Sequence, residues 1–476
     1  LTMASRLVAL RSRLRRPSNW FEPFMVLVIL GGLVRAGLFF YDNGYLPQPF
    51  FYDPHDTWMD WFNTAFWAYE PGAYDSWATI YPPLSFVFLR IFSVSHCYAH
   101  GADAYAVRNC DWVGLLTLHS LWVLNIVLLW KTFRKVDKST AFWRTIALGF
   151  GLPTMNGLER GNVVIVCMTF VILGFGPLLK SARWRWICVG IAVNFKVYLL
   201  TGIFSQLLRR KWLWFEGAFV AVFAIYAMTY MMFGQGTPLE LANNIMDAGS
   251  IYNNFALTDL WISESYNGFI AALGSNYLMI SGSIGTRNTD LLINILPILQ
   301  SSGKVAIVLA AIAAWYRPES IPMSRLTFLG FGFVMVMSET GGYSEAFLIF
   351  FIMQEKWTGL WRKVALVCSY ILLIPMDIPI DELPRSATES YLAGHAVFVT
   401  YYIALGHFVR PFFVIMSVVA ISMLTISDVW VDVRTQGWAG RWRYRRDAFP
   451  LPGMVPPWRR PNVVLPAASA GPAEAP

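Results

Sequence analysis

The sequence predicts an all-α polytopic membrane protein, a bundle of roughly ten to twelve transmembrane helices with short helices at its polar edges. Three observations predict it. The 476 residues are 56% hydrophobic and only 14% charged, against about a quarter charged in an ordinary soluble chain. Several apolar runs reach the roughly 20 residues that cross about 30 Å of hydrocarbon. The basic residues behind the net charge of +8 gather at the ends of those runs. That placement sets orientation in a bilayer, whereas a nucleic-acid binder clusters its charge on one face. Membrane lipids are therefore expected as partners, and nucleic acid is not.

The elements follow in order. Residues 1–22 form a basic leader with RLVALRSRLRR ahead of the first apolar run, 24–41. No small-residue cleavage site follows, so the run reads as a retained span and not a signal peptide. The arginines place the N-terminus in the cytosol, and 42–110 becomes a first outer loop. Within it, 81–95 reads as a short helix lying at the outer surface, started by Pro82 and Pro83. The run 111–130 returns to KTFRKVDK, 140–155 leads out, and GLPTMNGLERGN turns outside before 162–179 comes back to KSARWRW.

The next stretch, 186–208, has a basic cluster at both ends, and one span cannot have both ends on one side. Either it is a hairpin of two half-helices bending near Asn194-Phe195-Lys196, or one cluster breaks the orientation rule. Broken helices at membrane depth line polar cavities. Lys196, an ionisable residue in an apolar segment, is a functional candidate on that ground or a lysine snorkelling to an interface. Beyond it, 212–233 exits, 234–289 is a long polar outer loop, and 291–315 returns. The run 326–337 exits to SETGGYSE, 346–353 returns to EKWTGLWRK, and 363–376 exits to DIPIDELPRSATES. A last run re-enters, closing a transmembrane domain of 23–430. A basic, then Pro- and Ala-rich cytosolic tail fills 431–476.

Chemistry gathers on the outer side. In YDPHDTWMD, Asp53, Asp56 and Asp60 are spaced by three and four residues around His55. On one helix they would share a face. Carboxylates held close together hinder one another's ionisation, which suits one of them to a base's work; the plainer role is an N-terminal cap. Cys97 and Cys110 flank YAHGADAYAVRN and are open to a disulfide or to two unrelated thiols. Cys167, Cys188 and Cys368 lie in apolar runs as packing residues. No metal motif, phosphate loop or dinucleotide fingerprint is present, and no cofactor is expected.

Asp56, then Gly72 and Tyr74, then Tyr81-Pro82-Pro83, resembles the first outer loop of GT-C glycosyltransferases. The closest resemblance is to the bacterial polyprenyl-phosphate-mannose-dependent mannosyltransferases, the family of phosphatidylinositol mannoside assembly. Glu159-Arg160-Gly161-Asn162 is similar to that family's Arg-Gly-x-x-Asn region, and Asn194-Phe195-Lys196-Val197-Tyr198 to its lysine segment. The three come in the family's order over the first half of the chain. SETGGYSE stands where the family often has a Ser-Trp-x-His-like turn, with no histidine.

The resemblance implies a GT-C-like bundle in a bacterial cytoplasmic membrane, with its active site facing the periplasm. It implies inverting transfer of a sugar, mannose first, from a polyprenyl phosphate to a glycolipid or glycan acceptor. Asp56 then takes the catalytic position, with Asp53 and Asp60 as competitors. Arg160 and Lys196 become the donor-phosphate ligands, and His55, Glu159, Tyr81, Glu339, Tyr343 and Glu345 the substrate contacts. The rival readings are a flippase of lipid-linked sugars, which should show two similar halves, and a polymerase using a diphosphate donor and outer-loop arginines. The 234–289 loop carries only Arg287.

Overall fold

The computed structural model describes residues 20–50, 53–99, 103–251, 265–275, 277–337 and 341–437. Most of the basic leader, nearly all of the C-terminal tail and Glu339 lie outside the described residues. Among the described residues, five helices are long and apolar enough to cross a membrane: Phe21–Asn43, Trp112–Val136, Trp212–Phe233, Thr286–Tyr316 and Gly406–Gln436. The protein is a mostly helical, multi-pass membrane protein. Leu27, Val34 and Leu38 on the first helix and Val220, Phe223 and Met231 on the third stay exposed; on a soluble protein such an apolar surface would drive association, whereas here it faces lipid.

The other apolar helices are shorter and fill the interior. All of Glu345–Ile352 is buried, as is most of Val164–Phe175. A helix apolar on every side belongs in the middle of a bundle. Ala141–Phe150 and Leu152–Glu159 are separated only at Gly151, whose backbone is extended and whose next residue begins a helix with Pro153 in its first turn. A Cβ at Gly151 would overlap Leu373, so two segments also meet closely at the break. The short helix expected after Pro82 is present as Pro83–Ile91.

The conflict over 186–208 resolves as a hairpin. Helix Ala182–Val193 ends at Asn194, and Thr201–Leu208 follows a single 3-10 turn at Val197–Leu200. The Trp212–Phe233 helix serves as a ruler beside both arms. Gly217 abuts Trp186, and Gly190 abuts Ala221 and Ile225. Asn194 Nδ2 donates to the carbonyl of Val222 at 3.0 Å, and Phe204 returns to pack on Phe215 and Phe219. Both basic clusters therefore end at the same level, with Lys196 at the apex.

Two features add to the expected helical bundle. The chain is not purely helical: Pro379–Glu382 pairs with Tyr402–Ala404, and Ser386–Ser390 with His395–Val399, both antiparallel. In HAVFV, Val397 and Val399 are buried while Phe398 is exposed, the period of two that marks a half-buried strand. The 234–289 stretch is no plain loop, because it contains helices Pro238–Ile251, Tyr266–Ser275 and Tyr277–Ile284. Tyr266, Phe269 and Leu273 are buried at helical spacing, a periodicity masked in the sequence by the Asn, Gly and Ser around it.

Polar groups collect at the two ends of the bundle. At one, buried Arg144 binds Glu22 through Nε at 3.0 Å and Nη2 at 2.9 Å. Arg325 and Arg362 share Glu355 and Asp428 there as well. The segments 53–60, 157–162, 341–345 and 386–391 meet at the other end.

Candidate active site

The site begins with a kink. Asp53 caps a 3-10 turn, Pro54–Asp56, by accepting from the His55 amide at 2.8 Å. The next helix starts only at Met59, after Trp58 has taken a left-handed backbone with φ 64°. Asp53, Asp56 and Asp60 therefore do not lie on one helix, and the shared face that one helix would have given them is not formed. A non-glycine residue in this region costs free energy that its surroundings must supply. The Trp58 and Asp60 amides donate to the carbonyls of Glu159 and Arg160 at 2.8 and 3.0 Å. Those carbonyls end the Leu152–Glu159 helix and would otherwise lack partners. Gly161 makes the approach possible: its φ is 68°, and a Cβ there would sit 2.8 Å from the Trp58 carbonyl oxygen.

This clasp brings the acidic turn onto Arg160. The guanidinium reaches Asp60 at 2.6 Å and Asp56 at 3.4 Å. Asn162 Nδ2 donates to the second oxygen of Asp60 at 2.7 Å and to the Tyr81 hydroxyl at 3.4 Å, while its Oδ1 accepts from the Val164 amide. Asp60 is thus held from both sides by short, charge-assisted bonds. Among the described residues, Asp56 has only the long contact to Arg160 and one from the Tyr105 hydroxyl at 3.3 Å. Burial opposes the charge on Arg160, but Asp60, Glu159 and Asp56 together more than offset it and hold its pKa above the ordinary value.

Lys196 joins from the hairpin apex. It is buried, with Nζ 4.6 Å from the centre of the Tyr81 ring and 5.5 Å from that of Tyr343. No carboxylate lies within ion-pairing distance of it among the described residues. Tyr81 is fixed in turn: its carbonyl accepts from the Tyr74 hydroxyl at 2.6 Å. Asn244 and Gln235 bind the backbone of the same 72–79 segment. The expected pieces, Asp56, Asp60, Arg160, Tyr81, Lys196 and Tyr343, thus form one connected cluster.

The other expected residues play quieter parts. Glu159 is buried, and its Oε1 accepts from Thr57 Oγ1 at 3.0 Å. Burial pushes its carboxyl up to about 8, with Arg160 and Thr57 working against the shift. His55 lies against Tyr105 with ring centres 4.1 Å apart and planes tilted by 32°, and it is 3.9 Å from Glu389. Asp53, the cap, also accepts from Thr388 at 3.3 Å. Glu345 is buried beside a small pocket that Asn156 and Arg410 also line.

A model of glycosyltransferase family 87 matches residues 77–338. The chain belongs to glycosyltransferase family 87. This is a GT-C family of polyprenyl-phosphate-mannose-dependent mannosyltransferases, so the protein is a membrane glycosyltransferase. Searches of curated proteins and of solved structures returned no match. The family 87 segment contains Tyr81, Arg160 and Lys196 but starts after the Asp53–Asp60 turn, which the fold itself delivers to them. Sequence reasoning passed over Tyr105, Arg108 and Asn162's tie to Asp60. Only the last had a signal, as the fourth residue of the Glu159-Arg160-Gly161-Asn162 motif.

Proposed function

We propose that the protein transfers mannose from a polyprenyl-phosphate donor to a hydroxyl of a lipid-linked or glycan acceptor, inverting the anomeric carbon. The family implies the polyprenyl-phosphate sugar donor. The reaction would run at the outer face of a bacterial cytoplasmic membrane, with both termini cytosolic. Asp56 takes the proton of the acceptor hydroxyl as its oxygen attacks the anomeric carbon from the face opposite the phosphate. The bond from that carbon to the phosphate oxygen breaks, and the electron pair leaves with the polyprenyl phosphate. Arg160 and Lys196 hold that phosphate, the arginine by its planar fork and the lysine as a point charge.

The observation that carries this reading is the unequal binding of the two carboxylates on Arg160. Asp60 is saturated at 2.6 and 2.7 Å, while Asp56 keeps long bonds of 3.3 and 3.4 Å and can turn to a substrate proton. A general base must reach that proton within hydrogen-bond distance. Lys196 supports the phosphate role, since a buried cation between two aromatic rings suits an incoming anion.

The test is transfer in nanodiscs from synthetic polyprenyl-phosphate mannose to a lipid extract of the host, with the product's anomeric configuration read by NMR. Inverted product is expected, together with a donor KM raised about tenfold or more in Lys196→Met. A retained configuration, or turnover with a polyprenyl-diphosphate sugar and none with the monophosphate, would overturn the proposal.

A further inference from the structure

We infer that Arg108 and Tyr105 are positioning residues that set Asp56 for proton transfer, and that the Cys97–Cys110 disulfide anchors the short helix carrying them. This deepens the reading of Asp56 as the base and rests on it. Arg108 is only 2% exposed. Its Nη1 donates to the carbonyls of His55 and Thr57, at 2.7 Å each, and these are the residues on either side of Asp56. After Asp56 the chain leaves regular structure for the left-handed Trp58, so the helix that follows supplies no partner for these carbonyls. Buried carbonyls left so are costly, and one guanidinium meets the need of both.

Arg108 is itself held flat. Its guanidinium carbon lies 3.6 Å from the centre of the Tyr391 ring and 5.4 Å from that of Tyr105. The Tyr391 amide donates to the Pro54 carbonyl at 3.1 Å, so the strand hairpin backs the same turn. Tyr105, one helical turn before Arg108, donates to Asp56 directly and lies against His55, the rings tilted by 32°. Buried Arg108 and the strand hairpin thus grip the turn from two sides, with the more exposed Tyr105 reaching Asp56 itself.

The carrying helix, Ala104–Cys110, is referenced to the membrane-crossing part of the protein. Cys110 at its end is bonded to Cys97. The next residue, Asp111, is fully buried and accepts from the Val94 amide at 3.1 Å, the Tyr98 hydroxyl at 2.7 Å and the Gly114 amide at 3.1 Å. Trp112 then opens a helix long and apolar enough to cross the bilayer. The disulfide and Asp111 pin the same joint, so the bond contributes to Asp56's position without being its sole support.

Arg108→Met, Arg108→Lys, Tyr105→Phe and the double variant Cys97→Ser/Cys110→Ser are assayed beside Asp56→Asn, with kcat, both KM values and thermal stability read in nanodiscs. Arg108→Met is expected to lose about 30- to 100-fold in kcat, because misplacing a catalytic group by about 1 Å costs on that order. Both KM values should stay within about threefold. Arg108→Lys should recover part of the loss, and Tyr105→Phe and the cysteine pair should each lose roughly three- to tenfold in kcat. Full kcat in Tyr105→Phe and Arg108→Lys, or raised KM values with kcat unchanged, would overturn the inference even if Arg108→Met does not fold. An inactive Asp56→Asn beside a fully active Arg108→Met would overturn the inference alone. An active Asp56→Asn would instead remove the base assignment beneath it.

Discussion

Asp56→Asn and Asp60→Asn should separate catalysis from architecture, although the two residues touch the same arginine. Asp60 holds Arg160 at 2.6 Å and Asn162 at 2.7 Å, and both partners are donors. An asparagine there must turn its amide N–H toward one of them. Losing one charge-assisted bond and facing donor to donor costs about 2–4 kcal/mol of stability. Among the described residues Asp56 keeps only bonds of 3.3 and 3.4 Å, with a side chain 23% exposed, so its amide variant should cost less than about 1 kcal/mol. On the chemical step the order reverses. Removing a general base lowers kcat by about 10²–10⁴, or about 3–5 kcal/mol of barrier. Thermal scans in detergent and single-turnover transfer in nanodiscs measure the two quantities on the same preparations. A stable Asp60→Asn that has lost kcat, beside an active Asp56→Asn, would refute the reasoning and move the base to Asp60.

Glu159 carries a pH signature. Its carboxyl is raised from 4.5 to about 8 by burial, so the fold prefers the protonated form. That contribution is complete below about pH 4.5 and is lost as pH rises through 8, at up to about 1.4 kcal/mol per unit. Glu159→Gln should match wild type near pH 5 and become progressively more stable up to pH 8; parallel melting profiles between pH 5 and 9 would contradict this. Arg144→Met should cost about 3–5 kcal/mol by stranding the buried Glu22, while Glu22→Gln/Arg144→Met should recover most of it. A double variant as unstable as the sum of the singles would deny the coupling. Gly161→Ala places a Cβ 2.8 Å from a backbone oxygen at φ 68°, a conformation worth about 1–2 kcal/mol against any L side chain. It should lower both stability and kcat by moving the Trp58 turn, and unchanged kcat would show that the clasp is not needed.

Much of this architecture was legible from local sums. Hydropathy over about 20 residues found the runs behind all five long helices. Basic clusters on both sides of 186–208 left a hairpin bending near Asn194-Phe195-Lys196 as one of two readings, and Pro82-Pro83 started a helix. Short-range pattern misled where spacing alone had to stand for shape. The intervals between Asp53, Asp56 and Asp60 fit one helix, yet Trp58 breaks it because the carbonyls of Glu159 and Arg160 claim the amides of Trp58 and Asp60. Polar composition hid the buried stripe of Tyr266, Phe269 and Leu273, and the strands in 379–404 were too short to stand out.

The sequence by itself determined the membrane class, the long apolar helices and the family. Those properties follow from composition and nearest neighbours, which no folding can alter. Only the tertiary structure decided how unequally the carboxylates are bound. That inequality depends on Arg160 and Asn162, about a hundred residues away along the chain, and on Tyr105, whose helix is tied down by a disulfide. A hydrogen bond is settled to a few tenths of an ångström by packing from every side, and no periodicity along a single segment records that.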